Sequence, residues 1–350
     1  MSHPADLGFG IVGSGVVAEF HARAIKEARG ARLVGIADIA EEKGRQFALR
    51  HDVGFWTTRV ADLAARPDID VICITTPSGA HLEPALEAVH AGKHVIVEKP
   101  IEVTLERVDA LLRAADRASV FVGAILQSRV AQGARAIKTA IEAGRFGRLV
   151  LCSAYVKWHR EAGYYEGGWH GTRALDGGGA LMNQGIHSVD LLQWFVGMPA
   201  EVWAWTARRV HTGIEMEDTA VAALRFPQGA LGTIEASTAA FPGWDRRIEI
   251  CGENGSASLE NDRIVHWDFR EPKPGDNAVL NPVSNASMGS GASSPTQIDH
   301  SGHLFQIHDM IDSVRIGRSP TVDGHAARNG VALVRAIYDS ASSRAPVRLL

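Results

Sequence analysis

The chain has little cysteine. Its 350 residues include three, Cys73, Cys152 and Cys251, odd in number, far apart and each set in an apolar run. A disulfide framework is thereby excluded, and buried free thiols in a reducing, cytoplasmic compartment are expected. Long apolar runs are also missing. None approaches the roughly 18 residues that would span a bilayer. The start, MSHPADLGFG, has no basic segment leading into an apolar stretch, so no secretory signal is expected. Neither sign of charge dominates. Lys and Arg number 36 against 40 Asp and Glu, a net charge of −4. That balance excludes nucleic acid and anionic membrane as expected partners. No internal repeat is visible. What remains is a chain 45% hydrophobic and 22% charged, typical of a soluble globular protein and long enough for two domains.

The first third alternates short apolar runs with helical patterns. Strands are expected at 8–13, 31–38, 70–75, 94–99 and 120–124, and helices at 16–28, 41–51, 80–91 and 105–118. Continuous Val/Ile runs separated by helices predict a parallel sheet covered on both faces, a doubly wound α/β fold. After about residue 125 the pattern changes. A helix at 134–143 and a strand at 147–158 precede six closely spaced strands, at 201–210, 218–226, 230–238, 246–251, 256–260 and 263–268. FPQGA (226–230) is a hairpin signal. No long helix separates these strands, so an open, largely antiparallel sheet is expected. Two domains follow, 1–125 and 126–350. Trp203, Trp205, Trp244 and Trp267 lie on the second sheet or at its edge. Its uncovered face is expected to make a homo-oligomer, a dimer or tetramer. The stretch 271–299, rich in Pro, Gly, Ser and Asn, reads as a long surface loop. Amphipathic helices at 303–317 and 325–341 follow it.

GIVGSGVVA contains Gly13-x-Gly15-x-x-Ala18 between the first strand and the first helix, the setting that a dinucleotide fingerprint requires. Gly13 allows the tight turn, and Gly15 lets backbone approach a pyrophosphate. Ala18 keeps helix and strand close, and the N–H groups around Val16 and Val17 receive the anion. The N-terminal domain is therefore expected to be a Rossmann domain. Asp38 ends the second strand, where a carboxylate accepts from a ribose diol and repels a 2′-phosphate. Ile39 and Ala40 follow it without a cation, so NAD is expected over NADP. Arg45 is the nearby residue that would spoil this preference. Ligands in this fold bind at the carboxyl ends of the strands. Thr76, Pro77 and His81 are thus expected along the cofactor, and Glu98, Lys99 and Pro100 on the same rim. Lys99 could bind phosphate, hold a substrate hydroxyl or be solvated. Beside a nicotinamide its pKa is expected to fall toward a value useful for proton exchange.

GIVGSGVVA, TTPSGAHLEPALEAVHAGKHVIVEKP, GGGALMNQGIHSVDLL and SPTVDGHAARNGVALVRAIYDSA together resemble the glucose–fructose oxidoreductase/inositol dehydrogenase/rhizopine-catabolism (Gfo/Idh/MocA) family over nearly the whole chain. The resemblance implies an NAD(P)-dependent dehydrogenase acting on a secondary alcohol of a sugar or cyclitol. It also implies an oligomerising α/β second domain and a cis Lys99–Pro100 bond. The family's active-site lysine and histidine map to Lys99 and His187. Many members carry aspartate where this chain has Asn183, so the proton chemistry is expected to fall on Lys99 and His187, with Asn183 orienting substrate. GGGALMNQGIH, with the upstream KWHREAGYYEGGWHGTRALD, more closely resembles a subgroup acting on glycosides and nucleotide-sugar uronates, some of which form 3-keto sugars.

The residues support this independently. Asn183, His187, Asp190 and Trp194 fall at i, i+4, i+7 and i+11 of the helix after the glycines, so they are expected to share one face. Gly185 inside that helix signals a close approach. Gly177–Gly179 are expected to let the backbone pass close to cofactor and substrate. Sugar-binding candidates are Trp158, Arg160, Tyr164, Tyr165, Trp169 and Arg173, with Arg129 at the domain junction. Arg160 or Arg173 would suit a substrate carboxylate. No metal site is expected, since His300, His303 and His308 have no ligand spacing and read as solvated. Two other functions fit the sequence: an oxidoreductase recycling a tightly held cofactor, and a non-catalytic cofactor-sensing regulator.

Overall fold

The computed structural model describes residues 6–281 and 300–349, so the expected loop beyond residue 281 lies outside the described residues. The chain divides into two compact units, one of residues 1–127 with 300–328 and the other of 128–299 with 329–350. This differs from the expected division at 125 by moving 300–328 into the first unit.

The first unit opens β1 (Leu7–Val12), α1 (Val16–Glu27), β2 (Ala31–Ala37), α2 (Glu41–Arg50), β3 (Phe55–Thr57), α3 (Val60–Ala64) and β4 (Val71–Ile74). It continues with α4 (Leu82–His90), β5 (His94–Val97), α5 (Leu105–Ala118) and β6 (Val122–Ala124). All six strands are parallel, in the order β3-β2-β1-β4-β5-β6. The order reverses beside β1, where β1 and β4 adjoin, and this is the switch point at which doubly wound sheets bind ligands. Phe9, Ile11, Ile36, Val71 and Cys73 are fully or almost fully buried, as two-sided cover requires. β3 and α3 were not expected, because three and five residues carry too little periodicity to read.

The second unit contributes α6 (Gln132–Glu142), β7 (Leu149–Lys157), a π-helical turn Ala180–Gly185, and α7 (Ile186–Val196). The strands β8 (Glu201–Ala207), β9 (Thr219–Arg225), β10 (Leu231–Ser237), β11 (Arg247–Gly252), β12 (Gly255–Glu260) and β13 (Arg263–Phe269) follow, then α8 (Asp276–Leu280) and, at the chain's end, β14 (Val347–Arg348). Their sheet runs β13-β12-β11-β7-β10-β9-β8-β14, antiparallel except where β7 meets β10. One face is covered: Ala154, Val156, Leu224, Ile234, Ile248 and Ile250 are buried. α7 lies against that face and is itself buried nearly all round. The other face exposes Leu151, Trp203, Trp205, Val221 and Leu231. Trp267 lies on the edge strand β13, as expected; it is buried, and its indole N–H donates to Asp276 at 2.8 Å. Asp276 also takes a bidentate pair from Arg145, so the start of the expected loop is tied down.

Two long helices follow the loop. α9 (Ser301–Ile316) packs on α1 within the first unit. That contact, through the buried Ile307, Met310 and Ile311, explains why 300–328 leaves the C-terminal domain. α10 (Gly324–Ser343) begins in the first unit and continues in the second. The three cysteines form no disulfide; Cys73 and Cys152 are buried and Cys251 is half-buried. No helix among the described residues is long and apolar enough to cross a membrane.

Candidate active site

In the first unit the fingerprint forms the turn after β1. Gly13 takes φ +95°, and a Cβ there would come 2.9 Å from the Thr75 carbonyl oxygen, so both conformation and space require glycine. Gly15 is the N-cap of α1, and a Cβ on it would meet nothing within 4 Å. Val16 is exposed and Val17 half-buried. The space beside the start of α1 is therefore open, as an anion site needs. The Asp38 carboxylate is drawn to this turn. Ser14 donates to Oδ2 through its backbone N–H (2.8 Å) and hydroxyl (2.6 Å), and Ala40 N–H donates to Oδ1 (2.8 Å). Arg45 is held bidentately by Glu42 on its own helix, at 3.0 and 2.7 Å. These residues fit NAD, with glycine clearance for a pyrophosphate and an oriented acid for a ribose.

The rim residues are placed unevenly. Thr76 and Pro77 are half-buried at the end of β4. The His81 ring is buried between two carbonyls, with Nδ1 2.9 Å from Pro100 O and Nε2 3.0 Å from Thr76 O. Burial lowers its pKa, and the neutral ring has one N–H to donate to one of these two carbonyls. The Lys99–Pro100 peptide is cis. Lys99 is half-buried, and its backbone N–H donates to Glu98 Oε2 at 3.1 Å.

Glu98 points inward. His21 Nε2 on α1 lies 2.8 Å from Glu98 Oε1, and His303 Nε2 on α9 lies 3.2 Å from the same oxygen. Burial alone would raise the Glu98 pKa, but the two histidines hold it well below the usual carboxylate range. His21 is pushed down by its own burial. Sequence reading missed this cluster and placed His303 in solvent; it is buried, because α9 packs on α1. The three side chains are of metal-ligating type and lie close enough to share an ion. Their separations are nonetheless those of hydrogen bonds, with imidazole N–H groups donating to an ionised carboxylate. The cluster ties the strand end that carries Lys99 to α1, the helix behind the phosphate turn.

In the second unit Gly178 and Gly179 face protein rather than open space. A Cβ on Gly178 would come 2.2 Å from Tyr338 Oη, and one on Gly179 would come 1.8 Å from the Glu217 carbonyl oxygen. The close approach required of this run includes its own unit's β9 entry and α10. Glu217 then fastens the turn that follows. Its carboxylate accepts from Leu181 N–H (2.9 Å), Gly179 N–H (3.2 Å) and Tyr338 Oη (2.9 Å). Burial pushes its pKa up to about 7 against those three donors. A folded-state value above the ordinary one makes a contribution that is full in acid and lost as pH rises through it. Between about pH 4.5 and 7 the loss should reach about 3 kcal/mol. Thermal unfolding of wild type and Glu217→Gln across that range checks this: their difference should change up to about pH 7 and then level.

The residues 180–185 form a π-turn, not the regular α-helix expected, so the even spacing of Asn183 and His187 along one face does not hold. A Cβ at Gly185 would lie 3.0 Å from Ala180 O, the carbonyl five residues back, so this is the close approach that Gly185 signalled. His187 is half-buried in the first turn of α7. Further along, Asp190 holds Arg129 bidentately at 2.7 and 2.6 Å, and the guanidinium lies 5.5 Å from the Trp194 ring. Arg129, expected to meet substrate, is thus buried in a pair that anchors α7.

The other candidates gather around Asn183. Arg160 is buried, donates to Gln184 Oε1 at 2.7 Å, and lies over the buried Trp158 at 5.1 Å. Gln184 Nε2 donates to Tyr164 Oη at 2.8 Å. Tyr165 shares a 2.8 Å hydrogen bond with Thr238, and burial raises its pKa. Trp169 packs on His170, which stacks on Tyr164 at 4.2 Å. Arg173 is exposed, and its backbone N–H donates to Glu215 Oε2 at 2.8 Å. Asp176, His170 and Gln184 are additions that sequence reading did not single out. Asp176 immediately precedes the glycine run, but a lone acid there carries no spacing signal.

Comparison with known proteins matches residues 7–125 to the model of the oxidoreductase family with an NAD-binding Rossmann fold, and 134–258 to the GFO/IDH/MocA C-terminal domain. The WlbA dehydrogenase of Bordetella pertussis, solved with NADH and UDP-GlcNAcA, is 33% identical, covers 99% of both chains and superposes with a TM-score of 0.88. The uncharacterized oxidoreductase YrbE of Bacillus subtilis is 30% identical over 73% of this chain and 74% of its own. The myo-inositol 2-dehydrogenase of Thermotoga maritima is 28% identical over 73% of this chain and 75% of its own. With its fingerprint turn, its Asp38 and its open mixed sheet, the chain is an NAD-binding oxidoreductase and belongs to the GFO/IDH/MocA family.

Proposed function

We propose that this protein oxidises a ring hydroxyl of a nucleotide-linked sugar uronate to a ketone, or runs that reaction in reverse. The observation that carries this reading is its likeness, over essentially its whole length, to a dehydrogenase solved with UDP-GlcNAcA. Arg160, buried among Trp158, Tyr164 and Gln184, supports it, since aromatic and guanidinium groups together suit a charged sugar. Bound NAD supplies the hydride acceptor. Gly13, Gly15, Val16, Val17 and Asp38 would hold it, with Thr76 and Pro77 on the rim and His81 and Glu98 fixing the loops behind. His187 takes the hydroxyl proton, and Lys99 polarises the same oxygen. Asn183 holds and orients the substrate, with Tyr165 and Trp169 as further contacts. Incubation with NAD and a panel of nucleotide-linked uronates, free uronates, glycosides and inositols tests the reading. NADH should form best with the nucleotide-linked uronate. NADH from inositols alone would replace that substrate with a cyclitol, and no response from any member would favour a recycled cofactor or a regulator.

The assembly is part of the same proposal. Trp205 and Val221 are direct neighbours across β8 and β9, and Leu231 and Leu151 across β10 and β7. All four are on the uncovered face, with Trp205 61% exposed. Apolar groups so grouped favour a second copy of the chain. Light scattering at micromolar concentration should give a dimer or tetramer, and Trp205→Asp should shift it to monomer. A monomeric wild type would contradict this.

A further inference from the structure

The residues entering β9 hold three segments of the second unit together. The N–H groups of Glu215 and Met216 donate to the Gly171 carbonyl at 3.0 and 3.1 Å, which ties down the aromatic stretch before the glycine run. The Asp218 carboxylate accepts from the N–H groups of Arg209, Val210 and His211, at distances between 2.7 and 2.9 Å. Between them, Glu217 turns to the π-turn. Its backbone carbonyl accepts from Ala180 N–H at 3.0 Å, and its carboxylate accepts from Gly179 N–H, Leu181 N–H and Tyr338 Oη on α10. Glu217 is 6% exposed. All three partners of the carboxylate are neutral donors, and among the described residues no basic side chain pairs with it. A buried carboxylate without a cation is costly. What it supplies here is two acceptor-only oxygens for N–H groups at the start of the turn, which have no partner within the turn itself.

We propose that Glu217 is a positioning residue for the reaction: its ionised carboxylate holds the π-turn in the conformation that presents Asn183 to the substrate and starts the helix carrying His187, and a proton on it slackens that hold. The proposal rests on the reading of Asn183 and His187 as substrate contacts. A protonated carboxyl carries one O–H, and the oxygen bearing it is the poorer acceptor, so the hold on one N–H weakens. Glutamine fixes that condition at every pH, because it sets an NH₂ group against one of the two backbone N–H groups. Burial brings the Glu217 pKa up to about 7, so the change falls within an accessible range. The neighbouring groups do not titrate in its place. Desolvation holds Tyr338 well above its ordinary value, so it stays neutral. Arg335, also on α10, lies 5.9 Å from the Tyr338 ring and stays charged. Glu215 and Asp218 turn their carboxylates to Arg173 N–H and to the 209–211 loop. The π-turn, ALMNQG, contains no titratable side chain.

The test compares wild type with Glu217→Gln in kcat/KM for the preferred sugar from about pH 6 to 8, in NADH affinity, and in amide hydrogen exchange of peptides spanning 177–187. The ratio of the two enzymes at each pH removes the titration of every group that they share. That ratio should rise from about twofold at pH 6 to about tenfold at pH 8, with NADH affinity kept. Exchange at 177–187 should be faster in the variant than in wild type at pH 8, and nearly equal at pH 6. Tyr338→Phe removes one donor from the carboxylate and leaves both backbone N–H contacts. Measured against Tyr338→Phe/Glu217→Gln, its rise should move to higher pH. If wild type turns over no sugar, the reading of Asn183 and His187 fails, and the exchange comparison still decides whether Glu217 holds the turn. A ratio that does not change with pH overturns the proposal, as does equal exchange at pH 8.

Discussion

Lys99→Met is expected to lower kcat by about 100-fold or more, and His187→Ala by a similar factor, with NAD affinity changed by only a small factor. The two side chains come from different units of the fold. Lys99 follows β5 at a cis Lys–Pro peptide, and its backbone is held by Glu98, which is fixed by His21 on α1 and His303 on α9. A methionine keeps the length and apolar stem of the lysine and removes the ammonium. The hydroxyl oxygen then loses its polarising partner while the turn behind it stays fastened. His187 lies in the first turn of a helix buried nearly all round, so alanine removes the imidazole without freeing the helix. Steady-state kinetics with the preferred sugar, alongside a fluorescence titration with NADH, separate the two effects. Loss of NAD binding together with turnover would mean that the substitutions had damaged the fold. Near-normal turnover in both would remove the pair from the mechanism.

Gly179→Ala is expected to be the most damaging small substitution in the second unit. Its Cβ would stand 1.8 Å from the Glu217 carbonyl oxygen, a backbone atom at the entry to β9 that cannot swing aside. The Gly179 N–H also donates to the Glu217 carboxylate, so moving the backbone would break the fastening of the π-turn. Overpacking against backbone should destabilise by about 3 kcal/mol or more. For a unit of this size that is a fall of roughly 6–12 °C in unfolding temperature. Calorimetry on the variant checks it. Gly177→Ala is not a control, because Gly177 takes φ +68°. Gly163→Ala is, since a Cβ there meets nothing within 4 Å, and it should unfold with wild type. Equal stability of Gly179→Ala and wild type would show that the contact can relax.

The sequence carried the cofactor end further than the substrate end, for a physical reason. Gly13, Gly15, Ala18 and Asp38 act through backbone geometry at fixed positions along one strand–turn–helix–strand path, so local order reveals them. The parallel sheet was legible in the same way, from continuous apolar runs. Arg129 and His81 are the opposite case. Each belongs to a residue type that binds ligands, and each is held by groups distant in sequence: Arg129 by Asp190, His81 by Pro100. No spacing rule names such partners. The π-turn was hidden because its glycines and Asn183 fit an α-helical pattern equally well, and the contacts that fasten it come from Glu217 and Tyr338. Asp176 was overlooked for the same reason. His303 was misread because a loop-flanking histidine looks solvated until the packing of α9 on α1 is known.

Direct hydride transfer from a sugar ring carbon is tested by isotopic labelling. The preferred substrate is labelled with deuterium at the carbon bearing the oxidised hydroxyl, turned over with NAD in ordinary water, and the dinucleotide is recovered for mass spectrometry. One deuterium should be retained in the reduced dinucleotide, and turnover should be slower than with unlabelled sugar. Unlabelled dinucleotide with the deuterium lost to water would contradict it.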